Sequence, residues 1–448
     1  MYPYLASQIE DSYLREGGRE LELGPFSGGI SFELAARHPD MRCTIADDNR
    51  GYLAYLKQRI DAHGLAARFE IVESPLDRLP FAGAGFDLVI LRGAFFFIMD
   101  KPGILAEIYR VLAPGGLAFV GGGYGRGMPQ KEIDAIADES RVLNDRLGRR
   151  RVTIEQLKSL VEAQNLTGHT RIAEEGGVWL EIRKPVSVSE KAANNLGEAL
   201  GIRGGDVISI VGGGGKTSLM YALAKELSSA GKKVITTTTT RIMPPAESES
   251  PCLVAEEDEE KVISRLADEL KRHAHVTAAR LRSPDGKLKG LAPETIDRLA
   301  ELRLADYIIN EADGAARKPI KAPNATEPVI PASTSLVVAV VGMDALGKPL
   351  TPEIAFRPEL ITRLTGRAAG SEITPSVIAM LITDRHGIIQ NTPQRARIAP
   401  FLNKTEVASD AEVAALAGEI LSRRHSQIER VAAGSLASHA KQLRVFRA

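Results

Sequence analysis

Residues 212–215 are four consecutive glycines, and Lys216, Thr217 and Ser218 follow at once. Glycine has no side chain to bury and loses more conformational freedom on folding than any other residue, so such a run is not a packing device. A bare backbone lets several N–H groups converge on an anion. A lysine beside it adds a mobile positive charge, and a hydroxyl can ligate a divalent cation. This combination suits a nucleoside triphosphate, ATP or GTP, with Mg²⁺. Gly212, Gly213, Gly214 and Gly215 are expected to cradle phosphate oxygens, with Ser218 next in line. Lys216 is expected to reach the β- and γ-phosphates, and Thr217 to ligate the metal. Further along, "NEADG" sets Glu311 and Asp313 two positions apart. Asp313 is expected to hold Mg²⁺ through water, and Glu311 to orient or deprotonate an attacking nucleophile. Lys216, Glu311 and Asp313 are therefore the expected catalytic set.

These residues need a strand-to-helix turn facing a second strand end. "DVISIV" before the glycines reads as a buried strand. "TSLMYALAKELSSAG" after them reads as a helix, with apolar residues at helical spacing and Gly231 at the C-terminal cap. The glycines then lie at the positive end of that helix. "YIIN" is a strand whose carboxyl end carries Glu311 and Asp313, the edge at which open α/β sheets bind ligands. "VITTTTTRI" ends a further strand. β-Propensity alone accounts for its threonines, and the alternative places Thr239, Thr240 and Arg241 at the same edge, facing phosphate or Mg²⁺. Arg317, Lys318 and Lys321 read either as a clamp for a substrate anion or as a solvated basic loop. The spacing GxxxxGK[ST] would need glycine where Ile210 stands, so the shorter GGxGK[ST] fits better. Val211 occupies the place where metal-insertion and nitrogenase-type ATPases often carry a lysine. "LNKTE" resembles the guanine-reading NKxD element: Asn403 and Lys404 are present, and Glu406 stands at the acidic place, which keeps GTP open beside ATP.

The first half offers a second constellation. "RELELGPFSGG" puts an acid, Glu22, and a glycine turn after a first strand, and "CTIADD" ends a second strand with acid. Gly24 and Gly28 would let the backbone approach a nucleotide-type cofactor, and Asp47 would bond its ribose hydroxyls. Phe95, Phe96 and Phe97 read as packing under a loop, or as the lining of an acceptor pocket. Trp179 reads as core. His273 and His275 are too few ligands for a metal site.

Length and composition bound the rest. At roughly 100–200 residues per domain, 448 residues imply several domains. Strand-like and helix-like patches alternate, which implies an α/β fold. The pattern pauses in a polar stretch. We therefore expect a first domain over 1–185, a linker over 186–194 and a second domain over 195–448, each built on a largely parallel sheet. A net charge of zero gives no general pull toward nucleic acid or membrane. Two cysteines, a start without a basic-then-apolar segment, and no apolar run longer than "SLVVAVVGM" point to a cytoplasmic protein.

Two resemblances follow. "LPF" (79–81), "FDLV" (86–89) and "RVLAPGG" (110–116) stand in the order seen in class I S-adenosylmethionine-dependent methyltransferases. This implies a Rossmann-like fold over the first half and S-adenosyl-L-methionine as cofactor, with Glu22, Gly24, Gly28 and Asp47 around it. Phe26 stands where that family's cofactor loop has glycine, Ser74 and Pro75 replace a common Gly-Asp, and "VILRGAFFF" offers no general base. Methyl transfer relies on positioning, so the last departure is not decisive. The second half, with "VGGGGKTS", "TTTTR", "KLKG", "EADGAARKPIKAP", "EPVIP", "GMDALGKPL", "RPEL" and "LNK" in series, resembles YqeC-type proteins, accessory proteins of selenium-dependent molybdenum hydroxylases. This implies a P-loop NTPase-type domain acting in maturation of the hydroxylase cofactor, with the hydroxylase or its cofactor as partner. Two routes stand side by side. One is an enzyme that hydrolyses the nucleotide or transfers its phosphoryl group. The other is a nucleotide-gated delivery protein with an inactive methyltransferase-like domain.

Overall fold

The computed structural model describes residues 1–13, 17–25, 27–136, 152–167, 170–281, 283, 286–437 and 443–448. The chain divides into two compact units, Met1–Ser187 with Ser422–Ser426, and Val188–Leu421 with Gln427–Ala448. Among the described residues, no helix is long and apolar enough to cross a membrane.

The first unit is built on Gly18–Leu23 (β1), Met41–Asp47 (β2), Phe69–Glu73 (β3), Phe86–Leu91 (β4), Leu112–Gly123 (β5), Thr170–Ala173 (β6) and Gly177–Arg183 (β7). They form one sheet in the order β3-β2-β1-β4-β5-β7-β6. Strands β1 to β5 pair in parallel, and β7 runs antiparallel to both β5 and β6. Parallel strands need both faces covered, and the sequence provides for this. Leu21, Leu23, Val89 and Leu91 pack on one face with the helix Ile104–Val111, while Leu88, Ile90, Phe119 and Trp179 pack on the other with the helix Gly29–Arg37. Trp179 is fully buried and stacks on Phe119 at 4.4 Å. The chain order reverses between β1 and β4. The carboxyl edge at such a switch point is the place where an open sheet receives a ligand.

The second unit adds Ser189–Ala193 (β8), Val207–Gly212 (β9), Val234–Thr238 (β10), Arg241–Ile242 (β11), Leu253–Ala255 (β12), His275–Ala279 (β13) and Leu288–Lys289 (β14). Tyr307–Glu311 (β15), Ile320–Lys321 (β16), Leu336–Gly342 (β17), Ala355–Phe356 (β18), Arg397–Asn403 (β19), Val431–Ala433 (β20) and Leu443–Arg447 (β21) complete it. The main sheet runs β12-β13-β10-β15-β9-β17-β19-β20-β21-β8, and β11–β14 and β16–β18 form two-stranded ribbons. All pairings from β12 to β20 are parallel. Ile208, Ile210 and Ile309 pack against Leu219 and Leu223 of the helix Lys216–Ser229. On the other face Val207, Ile235 and Ile308 meet Val262 and Leu266 of the helix Glu259–Glu269, and Ile296 of Pro293–Leu302. Each such fully buried aliphatic side chain contributes about 1.5–3 kcal/mol relative to exposure.

One boundary differs from the sequence reading. The segment 186–194 is not a linker throughout: β8 lies within it and pairs antiparallel with β21 as the outermost strand. An edge strand is held by backbone hydrogen bonds and tolerates polar side chains, so "SEKAA" carried no apolar signal.

Candidate functional site

In the second unit β9 runs into the glycines and the helix Lys216–Ser229 starts directly after them. Gly214 and Gly215 adopt positive φ of 78° and 123°, a region side chains resist. A Cβ on Gly214 would overlap the Gly342 backbone, and one on Gly215 would overlap the Asn403 amide. The run is therefore demanded by the protein packed around the turn. The expected cradle shifts accordingly. The amide of Gly212 donates to Asp313 Oδ2 at 3.2 Å, that of Gly213 to Val340 O at 2.9 Å, and that of Gly214 to Lys318 O at 3.0 Å. These three N–H groups are already committed. Leu219 N is the first helical amide to reach a backbone carbonyl, Gly215 O at 2.9 Å. Among the described residues, the amides of Lys216, Thr217 and Ser218 take no backbone carbonyl, and they stand at the positive end of the helix.

Parallel pairing of β9 with β15 brings Glu311 level with Ile210, so both strands end beside this turn. Lys216 is buried; its Nζ donates to Gly212 O at 2.7 Å and lies 3.2 Å from Asp313 Oδ1 and 3.9 Å from Glu311 Oε1. The Thr217 hydroxyl donates to Glu311 Oε2 at 2.7 Å. Burial pushes the Glu311 carboxyl up, against the opposing pull of Lys216 and Thr217. Asp313, the residue expected to hold Mg²⁺ through water, lies between two lysines. Asp313 is fully buried and spans two ammonium groups, Lys216 on one oxygen and Lys321 at 2.9 Å on the other. Thr217 and Glu311 are the pair that meet at the mouth of the turn.

Lys321 is neither a solvated loop residue nor a free clamp. It is fully buried and reaches Gly314 O at 2.8 Å and Glu327 Oε2 at 2.7 Å as well as Asp313. Arg357 pairs with the same Glu327 at 2.6 Å. Burial would raise the Glu327 carboxyl, but Arg357 and Lys321 outweigh it and hold it below the usual range. Lys216, Asp313, Lys321, Glu327 and Arg357 thus form one chain of alternating charge, buried at Lys216, Asp313 and Lys321 and partly exposed at Glu327 and Arg357. Sequence reasoning missed its last two members, although "EPVIP" and "RPEL" carry them. Lys318 donates to Glu353 O at 2.9 Å and Arg317 is exposed, so neither joins this network.

The other expected contacts sort as follows. Asn403 donates to Gly214 O at 2.8 Å and accepts from Leu436 N at 3.3 Å, so it braces the turn and is not free to read a base. Lys404 pairs with Asp344 at 2.6 Å. The guanine-reading arrangement is not assembled, because both side chains have partners of their own. The Thr239 hydroxyl donates to Val329 O, and Thr240 N bonds the Thr238 hydroxyl, which itself donates to Glu311 O at 2.8 Å. Arg241 is exposed on the β11–β14 ribbon. The threonine run therefore positions the end of β15 from behind.

In the first unit a cavity of about 330 Å³ opens at the β1–β4 switch point, lined in part by Gly24, Asp47, Asp48, Leu76, Ala94 and Phe97. Its size lies within the usual range for ligand pockets. Gly24 turns with φ 56° and its N–H bonds Ala46 O at 2.9 Å. Asp47 accepts from Asn49 N at 2.7 Å, and partial burial raises its carboxyl. A carboxylate at the end of β2 beside a bare backbone fits an adenosine-type cofactor. Gly28 caps the helix Gly29–Arg37 with φ 64°. Glu22 departs from the expected cofactor contact: it is buried and accepts from both the amide and the hydroxyl of Ser31, tying β1 to that helix. The Ser74 hydroxyl bonds Pro75 O and Arg78 O, which leaves Leu76 as this loop's contribution to the cavity. Phe95 packs in the core and Phe97 lines the cavity. Phe26 lies outside the described residues.

Comparison with known proteins matches the same two parts. The profile of the YqeC protein family fits residues 208–359, and that of a methyltransferase domain fits residues 21–120. The protein YqeC of Escherichia coli (strain K12) is 32% identical over 241 residues, 54% of this chain and 91% of that protein. The ubiquinone/menaquinone biosynthesis C-methyltransferase UbiE of Geotalea daltonii (strain DSM 22248 / JCM 15807 / FRC-32) is 33% identical over 100 residues, 22% of this chain and 43% of that enzyme, so the match spans less than half of that relative. Among solved structures, a SAM-dependent methyltransferase from Aquifex aeolicus superposes with a TM-score of 0.31 at 15% identity, over 40% of this chain and 89% of that one.

Proposed function

Because this chain belongs to the YqeC family and carries a Rossmann-like methyltransferase domain ahead of that part, we propose that it carries a triphosphate site and an S-adenosyl-L-methionine site in one cytoplasmic chain. In this reading the second unit binds ATP or GTP with Mg²⁺ and hydrolyses it or transfers its phosphoryl group. The observation that carries it is the meeting of Lys216, the Thr217–Glu311 pair and the unpaired helix amides of 216–218 at one sheet edge. Lys216 would exchange the Gly212 carbonyl for phosphate oxygens, while Asp313 keeps Lys321 as its counter-charge. Thr217 would hold the cation, whose chemistry is to neutralise charge developing between the phosphates. With its carboxyl raised by burial, Glu311 is also suited to take a proton from an attacking hydroxyl or water. In the first unit Asp47 and Gly24 would seat the adenosine part of S-adenosyl-L-methionine, and the fold would align the methyl group with its acceptor. The wider role is maturation of a selenium-dependent molybdenum hydroxylase, which takes its support from the motifs shared with YqeC-type proteins.

The test is Glu311→Gln. It should lower nucleotide turnover by ~10²–10⁴-fold, the usual contribution of a general base, while triphosphate binding in the absence of Mg²⁺ stays within a few-fold of the parent. Unchanged turnover would remove Glu311 from the reaction. A second reading, nucleotide-gated delivery, is favoured by the charge chain that leads from Lys216 to Arg357. It predicts turnover that rises only when a partner protein is added, with no phosphorylated small molecule formed.

A further inference from the structure

His273, set aside in the sequence reading for want of further ligands, has two companions in the fold. Cys252 immediately precedes β12, Glu269 closes the helix Glu259–Glu269, and His273 follows four residues after Glu269. The Cys252 thiol, a Glu269 carboxylate oxygen and a His273 ring nitrogen lie within 4.8 Å of one another. His275 takes no part, because it is buried against the Thr236 hydroxyl at 2.9 Å.

The backbone fixes all three positions. Thr277 N donates to Cys252 O at 2.8 Å, which docks the start of β12 on β13. The Ser250 hydroxyl bonds the same carbonyl at 3.0 Å. His273 N donates to Glu269 O at 2.9 Å, so their side chains share one helical face, with Nε2 3.7 Å from Oε2. The His273 and Glu269 side chains are 36% and 23% exposed, so an ion reaches them without unfolding. The neighbouring guanidinium of Arg265 pairs with Glu256, which offsets part of its positive charge beside the group. The group sits at the edge where the parallel strands begin, whereas Glu311 sits where they end.

We propose that Cys252, Glu269 and His273 form a zinc site with one open coordination position. One sulfur, one imidazole and one carboxylate make a mixed set that suits Zn²⁺, while Mg²⁺ and Ca²⁺ favour all-oxygen surroundings. Three protein ligands leave the fourth tetrahedral position to water. Uptake converts the thiol to a metal thiolate and releases its proton. The ion clips the three-residue outer strand β12 to the adjacent helix end.

The full chain, stripped with a chelator, is titrated with Co²⁺ as a coloured stand-in. At one equivalent, a thiolate-to-cobalt charge-transfer band and tetrahedral d–d bands should appear, and Zn²⁺ should bleach both. Cys252→Ser should lose the charge-transfer band, whereas Cys43→Ser and Lys216→Ala should keep it. His273→Gln should weaken binding by at least the ~10–100-fold that loss of even an outer partner costs. Circular dichroism checks the fold of each variant, and Cys252→Ala substitutes for Cys252→Ser if that chain does not fold. No charge-transfer band at one equivalent, or a band that survives in Cys252→Ser or is unaffected in His273→Gln, overturns the site.

Discussion

Lys321 shows how a side chain's meaning depends on what closes over it. It bridges Asp313 and Glu327 with no exposure of its own. Removing one partner of a buried pair leaves an uncompensated charge, so Lys321→Met should destabilise the second unit by about 3–5 kcal/mol. Urea unfolding reads this, and adding Asp313→Asn should recover part of the loss; full stability in the single variant would contradict the buried network. In the first unit the Ser31 hydroxyl, with one proton to give, faces both Glu20 and Glu22. Burial first, then the neighbouring Glu22, raises the Glu20 carboxyl well above its usual 4.5. A raised carboxyl stabilises the fold fully below its unfolded value and loses that contribution as pH rises through the folded one. Glu20→Gln, neutral at every pH, should therefore gain in Tm over the parent as pH climbs from 4.5 toward 8. A difference that is flat or shrinks with pH would mean that Glu20 ionises freely. Neither residue was readable in this sense from sequence. A lysine in a Gly- and Pro-flanked loop looks solvated, Glu20 carries no signal of its own, and its neighbour Glu22 looks like a cofactor ligand until Ser31 is seen to claim it.

At the scale of elements, the strand, turn and helix from Val207 to Ser229 were legible because their signals are local: a buried apolar run, a glycine break and a helical period. The reason for the glycines was not local. They admit the backbones of 318–319 and 340–342 and the Asn403 amide, segments more than a hundred residues away in sequence. Gly214→Ala should thus cost about 1–3 kcal/mol, the scale of a residue forced into a sparse φ region, and should lower triphosphate affinity in parallel. A variant with parental stability would show that the turn has more room than its contacts imply. The strand β8 was illegible for the opposite reason, since an outer strand of Ser, Glu, Lys and Ala is fixed by its pairing with β21 and not by its composition. In "LNKTE", likewise, three residues set the motif, but Gly214 O and Asp344 decide where its side chains go.

At the scale of the whole molecule, the alternating patches were legible as α/β sheets, and the polar pause between them set the expected boundary. Each unit sets an acid at the carboxyl ends of its parallel strands, Asp47 in one and Glu311 in the other, and the proposed ligands would sit there. The account therefore predicts two separable binding events in one chain. The direct test is calorimetric titration of the purified full-length protein, and of Lys216→Ala, with ATP, GTP and S-adenosyl-L-methionine, each with Mg²⁺. The parent should bind a triphosphate and S-adenosyl-L-methionine. Lys216→Ala should lose triphosphate affinity by ~10–100-fold or more, matching about 1.5–3 kcal/mol for a charge-assisted hydrogen bond, with its S-adenosyl-L-methionine heat intact. Triphosphate binding that is absent from the parent, or undiminished in Lys216→Ala, would contradict the assignment of the glycine turn.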